Sequence, residues 1–436
     1  MEHADLAEDR LGKTSCRNGY RASREEGENM NESSWHERLS QVMPWGSSTC
    51  SKAPSLLPEE PEVIVRGDGC RVWDANGKGY IDYRNGLGPV ALGYRYPAVD
   101  EAIRDQLDRG IIFGHPSPLE CDVAEMLCDL IPCAEQARFL KTGGEALAAS
   151  IRIARFATGR EHIVQIGYNG WLNSLASGAN LLPSVTSSSG PPGVPVGLSA
   201  LHHACAWNDL DGLKRLFARF DGQIAAVLVA ADYQDMEQGQ KFYPELRRLT
   251  RAQGCLLVFD EVVTGFRLAV GGAQAYFGVT PDLAVFGKAL ANGMPLSAYL
   301  GSKDVMDACN RKGVVISSTF GGETLSLAAA KAVIKTYREQ DVIGHLWRQG
   351  HVLWSALDRL FQDTGLPLKL RGLAPCPVFC EEQPDRPALA LFMRKAFAHG
   401  VSLYRVPYVT FSHQDADIDE TLAKLELACR EVRDAL

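Results

Sequence analysis

Two short apolar runs in this chain end in residues able to do chemistry. Leu256 to Phe259 stops at Asp260-Glu261, and Leu283 to Phe286 stops at Gly287-Lys288. Apolar runs of this length suit strands buried on both faces of a parallel sheet. In open α/β sheets the ligand sits outside the carboxyl ends of the strands. One strand then presents a carboxylate to that crevice and another a lysine. An acid that holds a protonated pyridine nitrogen and a lysine that forms a Schiff base are the two groups pyridoxal phosphate needs. Taken singly, each has an ordinary alternative: a helix cap or metal site for Asp260-Glu261, a solvated loop lysine for Lys288.

Other words add to the pair. Thr142-Gly143-Gly144 precedes a helical pattern. Free backbone N–H groups and the positive end of a helix make such a turn an anion site, and glycine lets a phosphate approach the backbone. An ordinary strand–helix turn has the same composition. Tyr168-Asn169-Gly170-Trp171 follows another strand, and an aromatic there can stack on a flat ring or stand on a surface loop. Val262, two residues past Asp260, is placed to pack against a ring face.

The elements that must position these groups alternate strand and helix. A polar stretch, residues 1–30, reads as disordered, with Met30 a candidate start. A short amphipathic helix carries Trp35, Leu39 and Val42. Residues 62–83 alternate as strands, with a hairpin at Asp74-Ala75-Asn76-Gly77. Helices are expected over about 97–109 and 118–131. Then come a strand at 137–141, a helix at 145–157, and strands at 162–166 and 225–230. A helix at 244–252 follows, with Pro244 in its first turn and Gly254 just past its end, then strands at 255–259, 283–286 and 297–301. Residues 177–200 are a Ser/Pro/Gly-rich loop. The alternation from 137 to 301 argues an α/β fold with a mostly parallel central sheet and helices on both faces. The expected organisation is a disordered extension (1–30), the N-terminal part of a small α+β domain (31–85), a large cofactor-binding domain (86–322) and a mainly helical C-terminal part of the small domain (323–436).

Composition narrows the classes. At 436 residues the chain exceeds one core, so two or three domains are expected. A net charge of −8 with no basic stripe argues against nucleic acid. No apolar run approaches a membrane span, and the first residues lack the apolar region of a secretory signal. The twelve cysteines include no CxxC pair and several fall inside apolar patterns, which fits reduced thiols in the cytoplasm and no metal site.

Taken together the words resemble the class III aminotransferases, fold type I pyridoxal-phosphate enzymes, and among them glutamate-1-semialdehyde aminomutase and its aminotransferase relatives. The matching stretches are Gly69–Tyr83, Gly86–Gly93, Thr142–Ala146, Asp260–Arg267, Pro281–Pro295 and Thr319–Gly322. The resemblance implies Lys288 as the Schiff-base lysine and Asp260 as the pyridine partner. It implies Val262 and Tyr168 around the ring, with Asn169 beside them, and Thr142, Gly143 and Gly144 at the phosphate. Thr319 would reach the phosphate of a second subunit, which implies a homodimer with shared active sites.

Several positions depart from the aminomutase. Lys52 stands where its carboxylate-clamping arginine aligns, without the bidentate fork. The C-terminal glutamate is replaced by the stretch Arg405 to Phe411. Tyr-His-Gly becomes Tyr168-Asn169-Gly170, Glu-Pro becomes Ala230-Ala231, and Glu323 closes the stretch after Thr319. Asp235 aligns loosely with a polar residue near the ring hydroxyl. Read as lost clamps, these changes lead to an expected aminotransferase that passes an amino group from a donor such as glutamate to a sugar or aminocyclitol carbonyl, as in amino-sugar or aminoglycoside biosynthesis. Lys52, Asp235, Asn169 and Tyr408 would then face the substrate. The alternatives are an aminomutase or epimerase on the same cofactor, and a scaffold on an inactive fold.

Overall fold

The computed structural model describes residues 33–175, 192–310, 313–383, 385 and 387–436. The expected disorder of residues 1–30 and most of the 177–200 loop lie outside them. The chain divides into two units, Met1–Ala53 and Pro54–Leu436. In the first, Ser34 and Glu37 form a reciprocal capping box that starts the helix Trp35–Val42. The helix stops before Pro44, where Met43 is extended.

The second unit is α/β. Its strands are β1 (Ile64–Asp68), β2 (Arg71–Asp74), β3 (Gly79–Asp82), β4 (Gln136–Leu140), β5 (His162–Ile166), β6 (His202–Cys205), β7 (Ile224–Ala230), β8 (Leu256–Asp260), β9 (Leu283–Phe286), β10 (Ser297–Gly301), β11 (Leu368–Arg371), β12 (Val378–Glu381) and β13 (Val401–Ser402). The central sheet runs β4-β10-β9-β8-β7-β5-β6. β6, β5, β7, β8 and β9 are parallel, and β10 is antiparallel to both β9 and β4.

Side chains alternate across this sheet. Ala226, Leu228, Val258, Leu283 and Val285 join Ala146, Leu147 and Ile151 of the helix Gly143–Thr158 in one core. Val227, Val229, Leu257, Phe259, Ala284 and Phe286 enter the other core, with Phe242 of the helix Gly239–Ala252 and Leu327 of the helix Thr324–Glu339. Burial on both faces is why these strands read as unbroken apolar runs. The period also separates the two acids after β8. Asp260 keeps the face of Val258, while Glu261 turns to the opposite core and is wholly buried.

The turn Asp74–Gly77 is a hairpin, as expected, with the Asp74 carboxylate accepting from the Asn76 and Lys78 N–H groups. β1, β2 and β3 form a second sheet, to which β13 adds in parallel beside β3. Two expectations need correction. The helix placed at 244–252 begins at Gly239, after the 3-10 turn Met236–Gln238, and so contains Pro244 rather than starting on it. β6 and the helix Leu210–Arg219 were not anticipated, because His-His-Ala-Cys carries little apolar signal. Among the described residues no helix is long and apolar enough to cross a membrane.

Candidate active site

β8 and β9 are neighbours, with Asp260 opposite Val285, so the acid and the lysine three residues beyond Val285 leave the sheet on the same edge. Val262 links them to the glycine turn. A Cβ on Gly143 would sit 2.7 Å from Val262 Cγ2, and one on Gly287 would sit 3.7 Å from Val262 Cγ1. Glycine at 143 is thus what allows the turn before the helix Gly143–Thr158 to close over the end of β8. Thr142 caps this helix in a box with Glu145, and its carbonyl accepts from Ser297 Oγ at 2.8 Å. That bond ties the turn to β10. Gly143 and Gly144 lie in the first turn of this helix, whose N–H groups have no partner within the helix, which makes an anion cup worth about 0.3–1 kcal/mol from the helix dipole.

Lys288 follows Gly287 in a 3-10 turn whose other residues, Ala289, Leu290 and Ala291, are buried. Its own φ is +43°, a left-handed conformation costing roughly 1–3 kcal/mol in a residue with a side chain. Burial lowers its ammonium to about 8, Asp260 pulls it back up and Arg267 pushes it further down. The Asp260 carboxyl is raised to about 6 by burial, against the Val262 N–H, Asn169 and Lys288. Val262 N donates to Asp260 Oδ1 at 3.1 Å and Asn169 Nδ2 to Oδ2 at 3.3 Å. The Asn169 Oδ1 is buried without a partner among the described residues. Tyr168, 46% exposed, has its phenol raised by burial and by the charge of Asp260. An acid held by two donors, a buried amine of lowered basicity, a glycine cup and a half-exposed aromatic fit a phosphorylated pyridine aldehyde.

The other expected residues are more scattered. Thr319 is exposed on the segment before the helix Thr324–Glu339. Asp235 precedes the turn Met236–Gln238, where its charge acts on Cys380 of β12. Tyr408 is buried, with the Arg267 guanidinium 4.5 Å from its ring centre. Lys52 is exposed in the 3-10 turn Cys50–Lys52 of the first unit. A hollow of about 570 Å³ lined by Glu145, Arg152, Arg155, Leu172 and Val315 flanks the helix Gly143–Thr158, and neither Asp260 nor Lys288 lines it.

Sequence reading missed Glu261, Ser297, Asn292 and Arg267. Glu261 accepts from the Ala273 and Gln274 N–H groups, from Thr264 and from the Gln274 side chain, and burial raises it to about 7. Asn292 bonds both Leu92 N and Gly93 O, fastening the Gly86–Gly93 loop to the turn after Lys288. The available signal was polar residues inside otherwise apolar words.

The sequence model described as "Aminotransferase class-III" matches residues 58–428. A "Glutamate-1-semialdehyde 2,1-aminomutase" of Thermomicrobium roseum is 33% identical over 92% of this chain and 98% of its own length. A protein of the same name from Acetivibrio thermocellus is 33% identical over 90% and 96%. Among solved structures, the "PLP internal aldimine form" of the FumI protein from Sphingopyxis sp. MTA144 superposes with a TM-score of 0.83 at 29% identity, covering 91% of this chain and 95% of that one. The likeness confirms the fold type I architecture. It also overturns the expected sugar or aminocyclitol acceptor and the aminoglycoside setting, since three further curated relatives at 30–33% identity also bear the aminomutase name. The physical reason is that a departure from the pattern need not remove its charge. Lysine at 52 lacks the fork but keeps the cation, so losing an arginine does not argue a neutral substrate.

Proposed function

The chain belongs to the class-III aminotransferases and is a pyridoxal-phosphate enzyme; from that premise we propose that it is an aminomutase acting on a small amino aldehyde of the glutamate-1-semialdehyde type. The observation that carries the reading is the agreement of five curated relatives on one name across 88–92% of this chain. The reaction is an isomerisation. The amino group leaves C2 and one is placed on C1, while the carbonyl moves from C1 to C2, so no external donor is consumed.

When bound, pyridoxal phosphate supplies a carbonyl that takes up the amine and a ring that draws electrons from the adjacent carbon. Lys288 anchors it between turnovers and then moves the proton between the two carbons. An amine held near pH 8 is uncharged often enough at neutral pH for that task. Asp260 holds the pyridine nitrogen protonated, and Asn169 and the Val262 N–H fix its two oxygens in that direction. Val262 and Tyr168 would bracket the ring, while Thr142, Gly143 and Gly144 would hold the phosphate. Asp235 and Tyr408 line the substrate end.

The working form in this reading is a homodimer in which Thr319 serves the partner's phosphate. Exposed Val315 and Phe320 flank Thr319, and exposed Ile111, Ile112 and Phe113 adjoin them through the Thr324 N–H bond to the Ile111 carbonyl. A cytoplasmic setting suits the eleven free thiols among the described residues.

The test is donor-free incubation of loaded enzyme with glutamate 1-semialdehyde, following 5-amino-4-oxopentanoate by chromatography. Conversion without an added amine supports the reading. A strict need for a separate donor refutes it.

A further inference from the structure

Thr319 stands on an irregular segment that its own subunit holds at both ends. Upstream, Arg152 of the helix Gly143–Thr158 donates to the Val315 carbonyl at 3.0 Å, and Arg138 of β4 donates to the Ile316 carbonyl at 2.9 Å. Downstream, a Cβ on Gly321 would lie 2.8 Å from the Phe139 carbonyl oxygen, and one on Gly322 would lie 2.5 Å from Glu120 Oε1. Only glycine permits approaches this close. Between these anchorages Ser317, Ser318, Thr319 and Phe320 are exposed. A hollow of about 220 Å³, lined by Phe139, Tyr299, Ser317 and Ser318 among others, lies beside the span, so packing alone does not fix its place.

An ion pair closes the downstream end. Lys141 Nζ lies 2.8 Å from Glu323 Oε2 and 3.3 Å from Ser326 Oγ, and the two charged side chains are 16% and 11% exposed. Glu323 also caps the helix Thr324–Glu339, accepting from the Leu325 and Ser326 N–H groups. Lys141 is the last residue before the glycine turn. Its N–H donates to Glu145 Oε2, the oxygen that also accepts from the N–H and the hydroxyl of Thr142. One bridge thus joins the turn Thr142–Gly144 to the segment bearing Thr319. The next residue, Thr324, bonds the Ile111 carbonyl through its N–H and its hydroxyl, so the exposed Ile111 is tied to the same junction. A largely buried ion pair adds little net stability, because desolvation offsets the attraction. A helix cap does not need the lysine either. What the pair supplies is place.

We propose that Lys141 and Glu323 are positioning residues: their bridge sets the Thr319 segment where it serves the cofactor phosphate of a second copy of this chain. This rests on the homodimer reading, in which Thr319 crosses to the partner. Neither side chain touches the cofactor. Lys141 holds the segment by its ammonium and belongs to the cup by its backbone. The phosphate contacts a subunit makes for itself and the one it lends away therefore share a support.

The experiment titrates cofactor-free protein with pyridoxal phosphate and reads the dissociation constant from the visible absorbance. Thr319→Ala should weaken binding. Lys141→Met removes the cation alone and is expected to weaken binding about fivefold, the worth of one modest contact, while Lys141→Arg stays near wild type. In the Thr319→Ala background Lys141→Met should cause no further loss, because it acts through the threonine. Should Lys141→Met fail to fold, Glu323→Gln, which keeps an oxygen for the Leu325 cap, takes its place in the cycle. A bridge that only stabilises the fold would weaken binding equally in both backgrounds. Equal losses, or none, from a folded Lys141→Met or Glu323→Gln protein overturn the proposal. If Thr319→Ala itself binds like wild type, the shared-site reading fails and this inference falls with it.

Discussion

Asp260, Val262 and Lys288 stand at or just past the ends of β8 and β9, where every residue of β9 is buried and Asp260 is held by two donors. Tyr168, Asp235 and Thr319 stand on connections, and Trp171, three residues after Tyr168, is 79% exposed. On the proposed reading the floor of the cofactor site is fixed by the sheet, and its rim by connecting segments. The departures from the aminomutase pattern follow that division only in part. Asp260 and Lys288 are retained and Asp235 changes on a connection, but Asn169 is buried and holds Asp260, and Glu323 and Tyr408 are buried as well. On that reading, mutations in the two regions should differ in kind.

The largest effect belongs to the floor. Lys288→Ala should abolish turnover and remove the visible absorbance of the loaded enzyme; an active, coloured variant would erase the contrast. Asp260→Asn keeps the shape and removes the charge. Steady-state kinetics should show at least about a hundredfold loss of kcat, ~2.7 kcal/mol of transition-state stabilisation, and a rate near wild type would strip Asp260 of its role.

Effects at the rim should be smaller and fall on binding. Thr319→Ala is expected to lower cofactor retention by about tenfold on gel filtration, roughly 1.4 kcal/mol, with the melting profile of the cofactor-free protein unchanged. A stable, active monomer in light scattering would contradict the shared site. Asp235→Asn should alter KM more than kcat, each by less than about fivefold; a hundredfold drop in kcat would move Asp235 to the floor.

Acid–base behaviour sharpens the contrast further. Lys288 titrates near 8 in the folded protein, below its ordinary value of 10.5. Between those values the unfolded chain binds more protons, so the cofactor-free protein should gain stability as pH rises from about 8 to 10.5. Asp260, raised to about 6 from 3.8, acts oppositely, and its contribution falls as pH rises from about 4 to 6. Thermal melts of Lys288→Met should lose the alkaline gain alone. If that variant keeps the gain, another group is responsible.

The floor was legible in the sequence because two constraints coincide there. Strands buried on both faces must be apolar, so Asp260, which ends β8, and Lys288, just past β9, stand out as charges. Gly143 was legible as a turn, though not the approach of Val262 that requires it. The burial of Arg267 was hidden, because a sequence does not display which contacts a side chain lacks. Pro244 misled, since proline marks a first turn only on average. β6 escaped because two histidines gave its short run a polar look. Lys52 and Asp235 were legible only as departures from a pattern, and a departure does not show what the changed residue still does.

The antiparallel strand β10 has a consequence for how the enzyme is made. β4, which leads into the glycine turn, pairs among the described strands only with β10, and the Ser297–Thr142 bond that seats this turn spans 155 residues. During synthesis the cup emerges early and waits, unpaired, for more than a third of the chain to follow. Loading with pyridoxal phosphate is then expected to be a late event of biogenesis, and a released chain truncated before Ser297 should not retain the cofactor, although it carries Lys288.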